Sequence, residues 1–229
     1  MSVRLCEEDI MYDLDKILRF YFITDDGVAD FPPAEQAKIA IQSGASIVQY
    51  RNKFFSSAFL DEAKAVREIC KRCGIPFVVN DNIELAKATD ADGVHVGQED
   101  ESPRAAREIL GSGAIVGVSV SDFEELGKTE LQYCDYIGTG AVFPTGTKKD
   151  VKNVCGLSGL EAISKKSPIP VVAIGGIDNG NAGQCFAHGA TGVAVISFVT
   201  RAADPMRKAL ELGAVCGCSP RSLKRPPRF

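Results

Sequence analysis

Short runs rich in β-branched and aromatic residues alternate along the chain with longer segments whose apolar positions recur every three or four residues. The runs cover residues 19–24, 46–50, 76–80, 93–96, 115–119, 135–140, 170–174 and 192–197, which makes eight strand candidates. Between them lie helical patterns such as SSAFLDEAKAVREICKRCG, where Phe59, Ala63, Val66, Cys70 and Cys73 are spaced to form one apolar face. Strand followed by helix, repeated, demands parallel pairing, because each crossover helix returns the chain to start the next strand in the same direction. The runs are almost wholly apolar, as strands covered on both faces are. Eight such units in 229 residues predict an α/β fold, a single (β/α)8 TIM barrel. An open doubly wound sheet would also alternate, but the phosphate-binding glycine pattern expected after its first strand is replaced here by TDDGVADFP. The junctions SGASIVQY, DADGVHV and HGATGVAV form a weak internal repeat of helix, stop and strand, read as structural.

The same pattern sets the boundaries: an N-terminal extension at residues 1–18, the barrel at 19–213, and a basic tail at 214–229 that is expected to be disordered. The last eleven residues hold four basic side chains and no acid, so the remainder carries 22 basic against 30 acidic groups. A body that acidic argues against a nucleic-acid surface. No apolar stretch is long enough to span a bilayer, and MSVRLCEEDI has acids where a signal peptide needs an apolar region. The expected location is therefore cytoplasmic, with the eight cysteines as reduced thiols. The sequence leaves homo-oligomerisation open.

In a parallel barrel the C-terminal strand ends share one face, where the loops build the site. The residues that follow the strands are then the candidate chemistry. Thr24, Asp25 and Asp26 follow the first strand. Gln49, Arg51 and Lys53 follow the second, Asn80 and Asp81 the third, Gln98 and Asp100 the fourth, and Ser119 ends the fifth. The segment 141–156, AVFPTGTKKDVKNVCG, follows the sixth, Gly175 and Gly176 the seventh, and Ser197 closes the eighth. Arg51 and Lys53 suit phosphate oxygens, against the alternative of a solvated charge pair at a helix start. Gly175 and Gly176 sit where many barrels hold a phosphate on backbone N–H groups, though two glycines also make an ordinary turn.

Taken singly, Asp81 reads as a helix cap with Glu84 three residues on, and Asp100 as a loop acid before the cap Ser102-Pro103. Together, beside an anionic ligand, they need a cation between them, since two unit charges about 4 Å apart interact by roughly 4 kcal/mol at an effective dielectric near 20. Two carboxylates completed by substrate phosphates is how Mg²⁺ is commonly held. The 141–156 segment, with donors at Thr145, Thr147 and Lys148, is expected to be a mobile cover over the mouth. The Cys70-x-x-Cys73 spacing lies on an apolar helix face and reads as structural rather than zinc-binding. His188 reads as a helix-end cation, and His95 either as a packed barrel histidine or as a neighbour of the site. No nucleophilic triad is present.

The stretches YFITD, QYRNK, VVNDN, ADGVHVGQED, GVS, DYIGTGAVFPTGTKKD, PVVAIGGI and AVIS occur in order from about Phe20 to Leu210, and with them the chain resembles the thiamine-phosphate synthase family. That resemblance implies a transferase that uses Mg²⁺ to join a hydroxymethylpyrimidine pyrophosphate to a thiazole phosphate, with release of pyrophosphate. It implies that Gln49, Tyr50, Arg51, Asn52, Lys53, Asn80, Ser119 and Lys148 bind the pyrimidine pyrophosphate. Of these, Arg51, Lys53, Lys148 and Ser119 would be catalytic. It also implies that Thr145, Gly146, Thr147, Gly176, Ile196 and Ser197 bind the thiazole phosphate, and that Asp81 and Asp100 hold the metal. Partners would be small phosphorylated molecules, with no nucleic acid and no membrane. A thiazole tautomerase of the same fold, a sugar-phosphate isomerase, and a ligand-binding barrel without turnover are the rival readings.

Overall fold

All eight apolar runs become strands: β1 Phe20–Ile23, β2 Ile47–Tyr50, β3 Phe77–Asn80, β4 Gly93–Val96, β5 Ile115–Ser119, β6 Tyr136–Thr139, β7 Val171–Ile174 and β8 Gly192–Val195. They pair in parallel in chain order, and β8 returns to β1 with Tyr21 opposite Ala194, so the barrel is closed. The computed structural model describes residues 12–54, 56–146 and 154–222. The helices are α1 Leu14–Ile17, α2 Pro33–Gln42, α3 Leu60–Cys73, α4 Ile83–Ala88, α5 Pro103–Leu110, α6 Phe123–Lys128, α7 Gly156–Lys166, α8 Ala182–Ala187, α9 Ser197–Thr200 and α10 Pro205–Val215.

Alternation along each strand sorts the apolar residues into two cores. Outward positions such as Phe20, Phe22, Val48, Phe77 and Val79 pack with Ala40, Ile41, Val66 and Cys70 of the helices. Inward positions Tyr21, Ile23, Ile47, Val78, Ile115, Tyr136, Val172 and Ala194 fill the barrel. Burial on both sides is why the strands read as continuous apolar runs.

The repeated junction has one physical form. Ala45, Ile75, Ala91 and Ala190 each donate a backbone N–H to the carbonyl five residues back, at 2.9 to 3.1 Å, across a left-handed residue that ends the helix. That residue is glycine at 44, 74 and 189, but Asp90, with φ of 51°, takes the place in DADGVHV. The next polar residue then ties the strands: Ser46, Asp92 and Asp135 accept from the N–H of Phe20, Phe77 and Val116 at 2.9, 2.8 and 2.7 Å.

Several boundaries differ from the sequence expectations. Phe59 belongs to a turn ahead of α3 and is 37% exposed, and Cys73 is only half-buried, so the packed face of α3 is Ala63, Val66 and Cys70. The run 192–197 leaves the sheet after Val195, and Ser197 starts α9. Residues 12–18 sit on the floor of the barrel: Leu18 is buried, Tyr12, Leu14 and Ile17 pack on the interior core, and the Tyr12 hydroxyl donates to Asp92 at 3.0 Å. At the other end α10 runs to Val215, Cys216 is buried, and the Arg221 N–H reaches the Gln42 carbonyl at 2.9 Å. No helix among the described residues is long and apolar enough to cross a membrane, and the seven described cysteines are free thiols.

Candidate active site

Above the apolar floor the barrel interior turns polar along one line. Gln49 Nε2 donates to the Tyr21 hydroxyl at 2.9 Å, that hydroxyl meets the Tyr136 hydroxyl at 2.8 Å, Tyr136 meets His95 Nδ1 at 3.0 Å, and His95 Nε2 meets Ser119 Oγ at 3.1 Å. Burial, the largest influence on both phenols, raises them well above their ordinary value and keeps them protonated at neutral pH. An amide nitrogen only donates. With Gln49 Nε2 at one end, each hydroxyl passes its proton onward, His95 receives at Nδ1 and donates from Nε2, and the Ser119 proton is directed away from the chain. That leaves Gln49 Oε1 as an acceptor and the Ser119 hydroxyl as a donor at the two ends of the line.

Glycines make the room for this line. A Cβ on Gly117 would lie 2.2 Å from the Tyr136 ring, and one on Gly138 would lie 3.0 Å from His95. Strand glycines often mark such close approaches. They are the sequence signal through which Tyr136 could have been found, and through which His95 is placed beside the site.

Of the two acids, Asp81 departs from its helix-cap reading, while Asp100 is found as an exposed loop acid ahead of the α5 cap. Helix α4 is capped by Asn82, whose side chain accepts from the Leu85 N–H at 2.8 Å, so Asp81 is not the cap. Asp81 instead occupies a left-handed conformation with φ of 62°, rare for a residue other than glycine. Its N–H is fixed on the His95 carbonyl of β4 at 2.8 Å, and Asn80 Nδ2 donates to its carboxylate. Asp100 turns back over its loop and accepts from the Gly97 N–H at 2.7 Å, while Ser102 and Pro103 start α5 as expected. A Cβ at Gly97 would come within 2.9 Å of that carboxylate. Asp81 and Asp100 thus follow two paired strands, β3 and β4. Among the described residues there is no cluster of three or more His, Cys, Asp or Glu side chains suited to a metal. A hard cation on these two carboxylates would therefore need oxygens from a ligand, which fits Mg²⁺.

Arg51 is not a solvated charge: its side chain is 11% exposed, its N–H donates to Thr24 Oγ at 3.0 Å, and its guanidinium lies 3.9 Å from Asp26. Asp26 also accepts from the Lys53 N–H at 2.8 Å, so it shapes the loop that carries both cations. Asn52 accepts from the Phe54 N–H at 2.9 Å. The Tyr50 side chain is not brought to the mouth: it packs between strand and helix, where its hydroxyl donates to Glu62 at 2.7 Å.

Beside the ends of β6, β7 and β8 a cavity of about 470 Å³ is lined by Thr145, Gly146, Gly176, Ser197 and Arg201, among others. Gly175 and Gly176 have φ of 98° and 64°, and a Cβ on either would lie 2.6 or 2.5 Å from the backbone of residues 141–144. Only glycine lets the β6 loop settle against β7 this closely. Ile196, with φ of −123° and ψ of −89°, turns the chain from β8 into α9. Thr147, Lys148 and the rest of residues 147–153 of the expected cover lie outside the described residues. Asp25 is named among the residues after the first strand but without a role, and Arg201 carries no assignment from the sequence, because the pair joins residues 176 positions apart.

Residues 20–199 match the thiamine monophosphate synthase family. A thiamine-phosphate synthase from Methanocella arvoryzae is 41% identical over 208 residues, covering 90% of this chain and 95% of that one. Another, from Chloroflexus aurantiacus, is 41% identical over 200 residues, covering 86% and 92%. The solved structure of thiamine phosphate pyrophosphorylase from Pyrococcus furiosus is similar at a TM-score of 0.81 and 36% identity, over 90% of this chain and 98% of that one.

Proposed function

Because the chain belongs to the thiamine monophosphate synthase family, we propose that it joins hydroxymethylpyrimidine pyrophosphate to a thiazole phosphate, forming thiamine phosphate and pyrophosphate. In this reaction the carbon–oxygen bond to pyrophosphate breaks and its electron pair departs with the leaving group. The thiazole nitrogen then supplies the pair for the new carbon–nitrogen bond at the pyrimidine methylene. No protein nucleophile is needed, and the chain's contribution is placement and charge.

The observation that carries this reading is the polar line across the barrel, whose two ends are the residues assigned to the pyrimidine side. Gln49 Oε1 accepts and Ser119 donates, a pair suited to the amino group and ring nitrogen of an aminopyrimidine. Arg51, Lys53, Asn80 and Lys148 hold the pyrophosphate, Asp81 and Asp100 hold Mg²⁺ against it, and Thr145, Thr147, Gly176, Ile196 and Ser197 hold the thiazole phosphate. When bound, Mg²⁺ supplies positive charge where the leaving group accumulates negative charge. The purified protein, given both substrates with and without Mg²⁺, is expected to release equal amounts of thiamine phosphate and pyrophosphate only when all three are present. Absence of product under those conditions would overturn the proposal.

A further inference from the structure

We propose that Arg201 binds the phosphate of the thiazole substrate and sets the preference for a phosphorylated thiazole over the free alcohol. This inference rests on the transferase reading and adds a residue to it. Arg201 lines the same cavity as Thr145, Gly146, Gly176 and Ser197, and among the described residues lining it Arg201 carries the one positive charge. The cavity's carboxylate, Asp178, is turned onto its own loop, where it accepts from the N–H groups of Gly180 and Asn181 at 2.8 and 3.0 Å. Backbone amides and hydroxyls alone would leave a phosphate dianion there without a counter-charge.

The guanidinium is also aimed. Its Nε and Nη2 donate to the two oxygens of Asp25 at 2.8 and 3.4 Å, while Nη1 makes no hydrogen bond among the described residues. Asp25 is buried and itself fixed by the Gly27 N–H at 3.0 Å and the Thr200 hydroxyl at 3.2 Å. Gln36 clamps its backbone, accepting from the N–H and donating to the carbonyl, each at 2.8 Å. A Cβ at Gly27 would lie 3.1 Å from Nη2, so the loop leaves space for the fork. The Arg201 side chain is nevertheless 54% exposed. A cation needed only to neutralise Asp25 gains nothing from that exposure, whereas a fork held on one edge and open on the other suits a second anion. Asp25 is the positioning residue, and Arg201 makes the contact.

The test is steady-state kinetics with the thiazole phosphate and with the unphosphorylated thiazole alcohol, each at saturating pyrimidine pyrophosphate and Mg²⁺. Arg201→Gln would strand the buried Asp25 carboxylate, so the informative variants are Arg201→Lys, which keeps the charge but loses the fork, and the double change Asp25→Asn with Arg201→Gln, which removes both charges. The double variant is expected to raise KM for the thiazole phosphate roughly 10- to 100-fold. KM for the alcohol and for the pyrimidine pyrophosphate should stay within about twofold, and Arg201→Lys should fall between. An unchanged KM for the thiazole phosphate, or equal rises for phosphate and alcohol, would overturn the role of Arg201 while leaving the transferase reading intact. Failure of the unsubstituted protein to form thiamine phosphate would overturn both.

Discussion

The floor and the mouth of the barrel are built from the same strands, often two residues apart, yet they obey different chemistry. At the floor, Ile47, Val78 and Ile115 are buried, and Leu18 and Ile17 close the interior from below. At the mouth, the next inward positions on those strands are Gln49, Asn80 and, after Gly117, Ser119. The floor is satisfied chiefly by packing. The mouth is satisfied by directional bonds, and its outermost groups, Asp81, Asp100, Arg51 and Lys53, are charged. A strand can therefore spend its first half on stability and its second on recognition.

Perturbing the two layers should separate these roles. The largest effect is expected at the charged rim: Lys148→Ala, by removing a counter-charge to departing pyrophosphate, should lower kcat/KM roughly 10²- to 10³-fold, read by pyrophosphate release. Full activity would remove Lys148 from the site. At the floor, Ile115→Ala should cost about 2–5 kcal/mol of stability in denaturant unfolding, while kcat of the folded enzyme stays within about threefold. A large kcat loss there would erase the distinction between floor and mouth.

Between the layers, Tyr136→Phe removes the hydroxyl that joins Tyr21 to His95. Stability should fall by about 1–3 kcal/mol because buried Tyr21 and part-buried His95 each lose a bond. KM for the pyrimidine pyrophosphate should rise while KM for the thiazole phosphate holds, since Ser119 and Gln49 lose their fixed polarity. Equal rises in both would place the line outside pyrimidine recognition.

The smallest effect concerns acid. Burial alone would raise the Asp25 carboxyl, but Arg201, the Gly27 N–H and Thr200 outweigh it and hold it below the usual carboxylate value. A group lowered on folding stabilises above its unfolded value, near 4, and that contribution is lost as pH falls through the folded value. Asp25→Asn should therefore flatten the loss of stability below about pH 4. An acid limb of unchanged steepness would contradict the depressed value.

All eight strands were legible because burial on both faces leaves runs that are apolar but for a few inward polar residues such as Gln49 and His95. The ends were less so: Ser197 continues an apolar run yet starts a helix, and Phe59 matches the α3 period yet lies outside it. Asp81 looked like a cap because Asn82, one residue on, offers the same chemistry, and only backbone geometry separates them. Tyr21 and Tyr136 read as ordinary strand aromatics, although Gly117 beside them hinted at a crowded interior. The line from Gln49 to Ser119 joins five strands, and no local spacing reports such a contact. The Asp25–Arg201 pair was hidden for the same reason.

The central claim is that Asp81 and Asp100 hold the cation that balances pyrophosphate. Its most direct measurement is the Mg²⁺ concentration giving half-maximal formation of thiamine phosphate, compared between the unsubstituted protein, Asp81→Asn and Asp100→Asn. Each change is expected to raise that concentration roughly 10- to 100-fold, with activity partly recovered at high Mg²⁺. An unchanged Mg²⁺ requirement in both variants would contradict the claim.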